Sequence, residues 1–223
     1  MSAINVIVQS NAAHLLTDGA GYNADGTLMA IGPKVSLIPH LSCAVAIRGP
    51  QSACPILSEL VGISAATFDG LRAGIGDLLR RAAEAYSPLF QQCQLGPDFE
   101  AVVAGISETE GPCAFMVPSH SRFGTEPFTV VPTEGLTCTP NNADILAAIV
   151  ASLPAECGAD DLDPAKHGLA IMEIQRAYLI ANNGIDGHFA AVGGFAQLTT
   201  VTDGAVMSRI LHRWPDIPAA VAA

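Results

Sequence analysis

Short runs of β-type residues separated by turn residues dominate the first fifty positions of the chain. Residues 4–9 are rich in Ile and Val, and Ser10-Asn11-Ala12 is typical of a tight turn into a second run. Residues 42–47 are apolar on both faces, which is typical of a strand at the centre of a layered core. The region is predicted to form two hairpins stacked into one sheet. Its predicted strands span residues 4–9, 14–18, 28–31, 34–38 and 42–47.

The spacing of apolar residues changes after Gly49 and indicates two blocks of helix. Leu71, Ile75 and Leu79 recur at helical spacing in the first block, and Asn142 can cap a helix in the second. Helices are predicted at residues 51–62, 67–86, 143–153 and 164–181, and further strands at residues 99–106, 113–117, 128–131, 136–139, 189–201 and 206–214. This order predicts an α+β fold, a four-layer αββα sandwich of two antiparallel sheets flanked by helices. We expect a single domain over residues 1–223.

Composition and charge narrow the classes of function. The net charge of −11 and the ten Lys and Arg residues argue against binding to nucleic acid or to an anionic membrane surface. No apolar run approaches the ~18 residues of a membrane span, and the first residues lack the pattern of a signal peptide, so we expect a cytoplasmic protein. The cysteines and histidines show no metal-ligand spacing. We therefore expect neither a metal nor another cofactor.

Three residues with potential chemistry recur at an even interval. Ser2, Asp18 and Lys34 lie sixteen positions apart each time. Removal of Met1 would give Ser2 both a hydroxyl and a free α-amine, and an amine with a pKa of roughly 7.7–8.0 can act as the base for a weak alcohol nucleophile. Lys34 would favour the alkoxide-like state of the hydroxyl, and Asp18 would orient Lys34 and balance its charge. The three residues are predicted to form an acyl-transfer site.

A longer pattern surrounds these three residues. The run Ser2-Ala-Ile-Asn-Val-Ile-Val-Gln-Ser-Asn-Ala-Ala-His-Leu-Leu-Thr-Asp18 is followed by Gly32-Pro-Lys34-Val-Ser-Leu-Ile and by Cys43-Ala-Val-Ala-Ile-Arg-Gly49. Over nearly the whole chain the pattern resembles a proteasome β-type subunit of the N-terminal-nucleophile (Ntn) hydrolase superfamily. The resemblance implies the Ntn hydrolase fold, hydrolysis of a peptide or a small amide substrate, and a homo-oligomer.

The resemblance also implies an oxyanion-binding backbone N–H at the end of the strand that follows the lysine. The family's glycine matches Arg48 without a gap, and a glycine follows one position later at Gly49. Either residue could supply the N–H, because the group belongs to the backbone.

Two features depart from the family pattern. The usual nucleophile of the family is threonine, and a late Asp and Ser also lie near it, for which this chain offers only Asn182-Asn183-Gly184-Ile185-Asp186. A non-catalytic Ntn-fold subunit that acts in assembly is therefore the alternative function, with Asp18 and Lys34 as a structural ion pair. A Ser-His-Asp triad is a further alternative, but the sequence has no Gly-x-Ser-x-Gly elbow, and each histidine is predicted to be a core or surface residue.

Overall fold

Strands account for most of the regular structure in this protein, a computed structural model that describes residues 2–182 and 191–216. In chain order the strands are β1 (Ile4–Gln9), β2 (Ala12–Asp18), β3 (Ala20–Tyr22), β4 (Leu28–Ile31), β5 (Val35–Ile38), β6 (Cys43–Arg48), β7 (Glu100–Ser107), β8 (Gly111–Pro118), β9 (Val131–Thr133), β10 (Leu136–Thr139), β11 (Phe195–Thr202) and β12 (Ala205–Arg213). The helices are α1 (Ala53–Ile63), α2 (Phe68–Ala85), α3 (Ser87–Phe90), α4 (Ala143–Ser152) and α5 (Lys166–Asn182).

The strands form three antiparallel sheets. The first sheet has five strands in the order β10-β1-β2-β11-β12, and the second has five in the order β5-β6-β7-β8-β9. The third sheet consists of β3 and β4, which form a hairpin between the first two sheets in the chain.

The predicted four-layer αββα sandwich is wrong. The described residues form three antiparallel sheets and five α-helices, which is a β-rich α+β fold. The strands of the first fifty residues do not share one sheet, because β1 and β2 belong to the first sheet, β5 and β6 to the second, and β4 pairs with the unpredicted β3. The spacing of apolar residues locates a strand but does not specify its partner, which depends on contacts between residues far apart in the chain.

Two further predicted strands differ from the structure. The order of the strands along the chain predicts that residues 136–139 pair with the strands just before them, but β10 pairs with β1 in the first sheet. The strand predicted at residues 189–201 is seen only from Phe195, and its first two positions lie outside the described residues.

The central strand predicted at residues 42–47 is confirmed, because β6 is buried along its whole length. Ala44 and Ala46 face the first sheet, whereas Cys43 and Val45 pack against α1 and α2. This alternation follows from the two-residue period of a strand. The small side chains between the sheets allow the strand ends that carry the candidate site to lie close together.

Gly105 and Gly74 provide a test of the packing between the second sheet and α2. A Cβ at Gly105 would lie 2.2 Å from the Phe68 ring, whereas a Cβ at Gly74 meets nothing within 4 Å. We expect Gly105→Ala to lower the free energy of unfolding by about 1–3 kcal/mol through overpacking. We expect Gly74→Ala, the matched control on the exposed face of α2, to raise it by about 0.5–1 kcal/mol. Urea denaturation of both variants measures the difference, and equal effects would contradict the packing described.

Candidate active site

Three strand ends bring the candidate residues together. Ser2 lies just before β1 and Asp18 ends β2, and the antiparallel register of Ile4 with Thr17 places these two ends side by side. The β3–β4 hairpin then returns the chain to the same place, since Gly32 N donates to Gly19 O at 2.8 Å. Lys34 follows directly and enters β5. The interval of sixteen positions from Asp18 to Lys34 is therefore set by the length of this hairpin with its connections.

Lys34 links the residues of the site through three hydrogen bonds. Its Nζ donates to Ser2 Oγ at 2.7 Å, to Asp18 Oδ1 at 2.6 Å and to the carbonyl of Ala20 at 2.6 Å. An ammonium has three N–H donors, so all three are used. Because Ser2 Oγ accepts a hydrogen bond from Lys34, the hydroxyl proton of Ser2 remains available to a base.

Asp18 is fully buried and its carboxylate is surrounded by donors. Besides the Lys34 ammonium, it accepts hydrogen bonds from the backbone N–H groups of Ala3 at 3.0 Å, Ala20 at 3.2 Å and Gly193 at 3.2 Å. A buried carboxylate is tolerated only with such compensation. With its oxygens occupied in this way, Asp18 is suited to holding Lys34 in place and not to accepting a proton from Ser2.

The protonation of Lys34 is set by two opposing effects. Burial lowers the pKa of the Lys34 ammonium below its usual value, although the Asp18 carboxylate acts in the opposite direction. The nearby Arg48 guanidinium also lowers this pKa, because two like charges repel. The result is a desolvated cation in contact with a hydroxyl, an arrangement that stabilises negative charge developing on the hydroxyl oxygen.

The structure places Arg48 and Gly49 differently. The Arg48 side chain is buried, pairs with Glu100, and directs Nη1 toward the carbonyl oxygen of Ser2 at 3.5 Å. Ile47 N donates to Lys34 O at 3.3 Å. The N–H of Gly49, two residues further on, therefore lies on this same side of β6, beyond the first residue of β5. Within residues 2–182 and 191–216 the Gly49 N–H makes no hydrogen bond. Gly49 is thus the better placed of the two candidates for an oxyanion.

Gly49 is required at this position by its backbone. Its φ of 148° lies in a region that residues with a Cβ rarely adopt, and a Cβ would approach Phe99 Cβ to 2.6 Å and the carbonyl oxygen of Asp98 to 2.8 Å. The chain can therefore turn out of β6 against the start of β7 only with glycine. Gly49 and Ser2 line the same cavity.

A cavity of about 940 Å³ lies in front of these groups. Ser2, Lys34 and Gly49 line it, Met29 and Ile31 of β4 contribute apolar side chains on one wall, and residues 92–96 form another part of the wall. The volume falls within the usual range for binding sites of small molecules or short peptides. The candidate nucleophile therefore faces a space large enough for a substrate.

Sequence reasoning missed several residues at this site. Glu100 is a buried acid that bonds both Arg48 and His120, and Gly193 donates to Asp18. An acidic residue between apolar neighbours in a strand, as Glu100 is between Phe99 and Ala101, could have signalled a buried ion pair. The segment considered for the late Asp and Ser, residues 182–186, lies outside the described residues from Asn183 onward.

In the part of the chain that the structure describes, neither a metal-binding cluster nor a membrane-spanning helix is present. The His, Cys, Asp and Glu side chains of these residues form no group that could hold a metal ion. Among the described helices, none has the length and apolar character needed to cross a membrane.

Comparison with known proteins shows a likeness of fold. No protein-family model matches the chain, and no curated protein matches its sequence. A Gly-1 mutant of Anbu from Hyphomicrobium sp. strain MC1 matches with a TM-score of 0.69 at 12% identity, over 95% of this chain and 88% of that chain. Anbu from the same strain matches with a TM-score of 0.66 at 11% identity, and Anbu (ancestral beta-subunit) from Yersinia bercovieri with a TM-score of 0.67 at 10% identity, each over 94% of this chain and 87% of that chain.

The expected relationship to proteasome β-type subunits is wrong. The three solved structures are Anbu proteins, a proteasome-like but distinct family, and at this low identity they show the fold alone. The spacing of Ser2, Asp18 and Lys34 reflects the lengths of two strands and a hairpin. Proteins of different families can share these lengths when they share a fold. The TM-scores of these matches show that the chain has the fold of the Anbu structures.

Proposed function

We propose that this protein is an N-terminal-nucleophile hydrolase that cleaves an amide or peptide bond, with Ser2 as the nucleophile after removal of Met1. The observation that carries the proposal is the contact of the Lys34 ammonium with Ser2 Oγ at 2.7 Å and with the buried Asp18 at 2.6 Å. A serine hydroxyl held against a desolvated cation, at the edge of a large cavity, is suited to nucleophilic attack.

The proposed reaction uses the α-amine of Ser2 as its base. The amine accepts the hydroxyl proton while Oγ attacks the substrate carbonyl, and Lys34 stabilises the negative charge on Oγ. When the carbon–nitrogen bond of the substrate breaks, the ammonium returns the proton to the leaving amine and an ester with Ser2 remains. Water then attacks the ester, its proton passes through the amine to Ser2 Oγ, and the acid product leaves. The reaction requires no cofactor.

The backbone N–H of Gly49 is the proposed donor to the oxyanion. Its position on the Lys34 side of β6, together with the absence of a hydrogen-bond acceptor for it in the described residues, supports this role. Arg48 N–H lies on the opposite side of the strand, toward β7, because N–H directions alternate along a strand. Of the two positions expected from the sequence, we therefore propose Gly49.

The substrate is proposed to be a peptide or a small amide. The cavity volume of about 940 Å³ supports a substrate of this size, and the apolar side chains of Met29 and Ile31 would contact its apolar groups. A non-catalytic subunit that serves assembly is the alternative, and the state of Ser2 separates the two. An enzyme requires a free Ser2 amine and a reactive hydroxyl, whereas an assembly component requires neither.

Replacement of Ser2 tests the nucleophile. We expect native protein to lack Met1 by intact mass and to gain one adduct at Ser2 from a β-lactone, which acylates reactive hydroxyl groups. Ser2→Ala should form no adduct and show no amide hydrolysis, while its thermal unfolding stays unchanged. Ser2→Thr is the matched control, since it keeps the hydroxyl and should retain labelling. Retained Met1, or labelling in Ser2→Ala equal to that of the native protein, would contradict the proposed function and favour the assembly role.

Gly49 and Gly32 provide a paired test of the proposed oxyanion site. Both line the cavity, but a Cβ at Gly32 meets nothing within 4 Å, whereas Gly49 has a φ of 148° and no room for a Cβ. We expect Gly49→Ala to lower the acylation rate at least about tenfold, within the range known for loss of an oxyanion donor, because the backbone must shift. Gly32→Ala should label at nearly the native rate. Equal rates in the two variants would contradict the assignment of Gly49.

We also propose that the protein is a homo-oligomer. Leu146 and Val150 on α4 and Ile180 on α5 are exposed apolar side chains, with 42%, 71% and 58% of their surface accessible. Apolar surface of this kind is typical of contacts between subunits. Analytical ultracentrifugation at micromolar concentration should give a mass of at least twice the 22.9 kDa of one chain. A single species of monomer mass would contradict the proposal.

A further inference from the structure

A second cluster of charged and polar side chains lies near the main chain of Ser2. Arg48, Glu100 and His120 are all buried, with 9%, 7% and 7% of their surface accessible. Arg48 Nε donates to Glu100 Oε2, and His120 Nε2 lies 2.8 Å from Glu100 Oε1. Burying three such groups is costly unless they are bonded to one another, so a cluster like this calls for an explanation.

The strands of the second sheet assemble this cluster. Arg48 is the last residue of β6 and lies directly opposite Glu100, the first residue of β7, so both side chains are on the same face. The pairing of β7 with β8 continues past the strand ends, since Ser119 N donates to Phe99 O at 2.9 Å. This extension places His120 beside Glu100. Arg48 and Glu100 therefore belong to paired strands, and His120 follows the end of β8 by two residues.

The hydrogen bonds of the cluster have one consistent assignment. Arg122 N can only donate, so His120 Nδ1 at 3.3 Å is an acceptor and the proton of the ring lies on Nε2, which donates to Glu100. Burial raises the pKa of the Glu100 carboxyl, but the His120 hydrogen bond and the Arg48 charge outweigh it and hold the pKa below its usual value. Glu100 is thus an anion fixed from both sides, and it fixes the Arg48 guanidinium.

The free end of Arg48 reaches the main chain of the proposed nucleophile. Its Nη1 lies 3.5 Å from Ser2 O, while the next N–H in the chain, that of Ala3, donates to Asp18 at 3.0 Å. The peptide plane after Ser2 is therefore held at both ends, and Lys34 holds Oγ. With the carbonyl carbon and the side chain of Ser2 both fixed, the tetrahedral Cα leaves its nitrogen one position. The groups that hold Ser2 consequently determine where its amine lies relative to Oγ.

We propose that Arg48 is a positioning residue for Ser2, that Glu100 and His120 hold it in place, and that the Arg48–Glu100 charge balance sets the proton affinity of the Ser2 amine. This inference rests on the proposed function, in which that amine is the base. The charged or titratable groups around Ser2 in the described residues are Asp18 from β2, Lys34 before β5, Arg48 from β6, Glu100 from β7 and His120 after β8, and the cavity wall adds Tyr22, Cys54, Cys93, Asp98 and Arg122.

The inference makes opposite predictions for the two members of the ion pair. The acid limb is the part of the pH profile in which the acylation rate rises as the amine loses its proton. Loss of the cation in Arg48→Met favours the protonated amine, so the acid limb should move to higher pH by about one unit. Loss of the anion in Glu100→Gln leaves the Arg48 charge uncompensated and disfavours the protonated amine, so the acid limb should move to lower pH by about one unit. A merely structural role would lower both rates without opposite shifts.

Arg48→Lys and Arg72→Met complete the set. Arg48→Lys keeps the charge but loses the bonding geometry, so the rate should fall at least about tenfold while the acid limb stays in place. Arg72→Met is the matched control, because Arg72 on α2 also pairs with a carboxylate, Glu110 at 2.7 Å, but does not line the cavity. It should leave both the rate and its pH dependence unchanged.

The test measures the rate of β-lactone labelling at Ser2 by intact mass between pH 5 and pH 9, in native protein and the four variants. Thermal unfolding identifies a variant that does not fold, and Glu100→Gln with Arg48→Lys then decides the question without Arg48→Met. If native protein does not label at Ser2, the proposed function falls and this inference falls with it. If native protein labels but the acid limbs of Arg48→Met and Glu100→Gln move together or not at all, only this inference is overturned.

Discussion

The buried Asp18 carboxylate is the constraint on which the site depends. A negative charge with no access to water must be matched by a cation and by hydrogen-bond donors, and here these come from Lys34 and from the backbone at Ala3, Ala20 and Gly193. These donors belong to the start of β1, the start of β3, the entry to β5 and the segment before β11. One charge therefore holds four separate parts of the chain together around Ser2.

The small third sheet gives this arrangement its shape. The β3–β4 hairpin leaves the first sheet at Asp18 and returns to it at Gly32. Lys34, two residues later, can therefore enter the second sheet close to Asp18. The same hairpin supplies Met29 and Ile31 to the cavity wall. Two tasks, the placement of Lys34 and the formation of the cavity, thus depend on one local element, whose two strands span only seven residues in all.

Ser2 is approached by two buried ion pairs of different composition. The Lys34–Asp18 pair contacts the hydroxyl, and the Arg48–Glu100 pair approaches the carbonyl oxygen. Each pair is close to neutral as a unit, which limits the cost of burying it. A site built in this way can hold two cations close to one residue and still be stable, because each cation has its own buried anion.

The sequence by itself determined the local elements and the candidate residues, because the two-residue and 3.6-residue periods and the chemistry of Ser2, Asp18 and Lys34 are properties of the chain read in order. Only the tertiary structure decided that β10 pairs with β1, that β3 and β4 form a separate sheet, and that Glu100 bonds both Arg48 and His120. Strand pairing and buried charge networks arise from contacts between residues far apart in the chain, such as Asp18 and Gly193, which are 175 positions apart. No periodicity along the chain records such contacts.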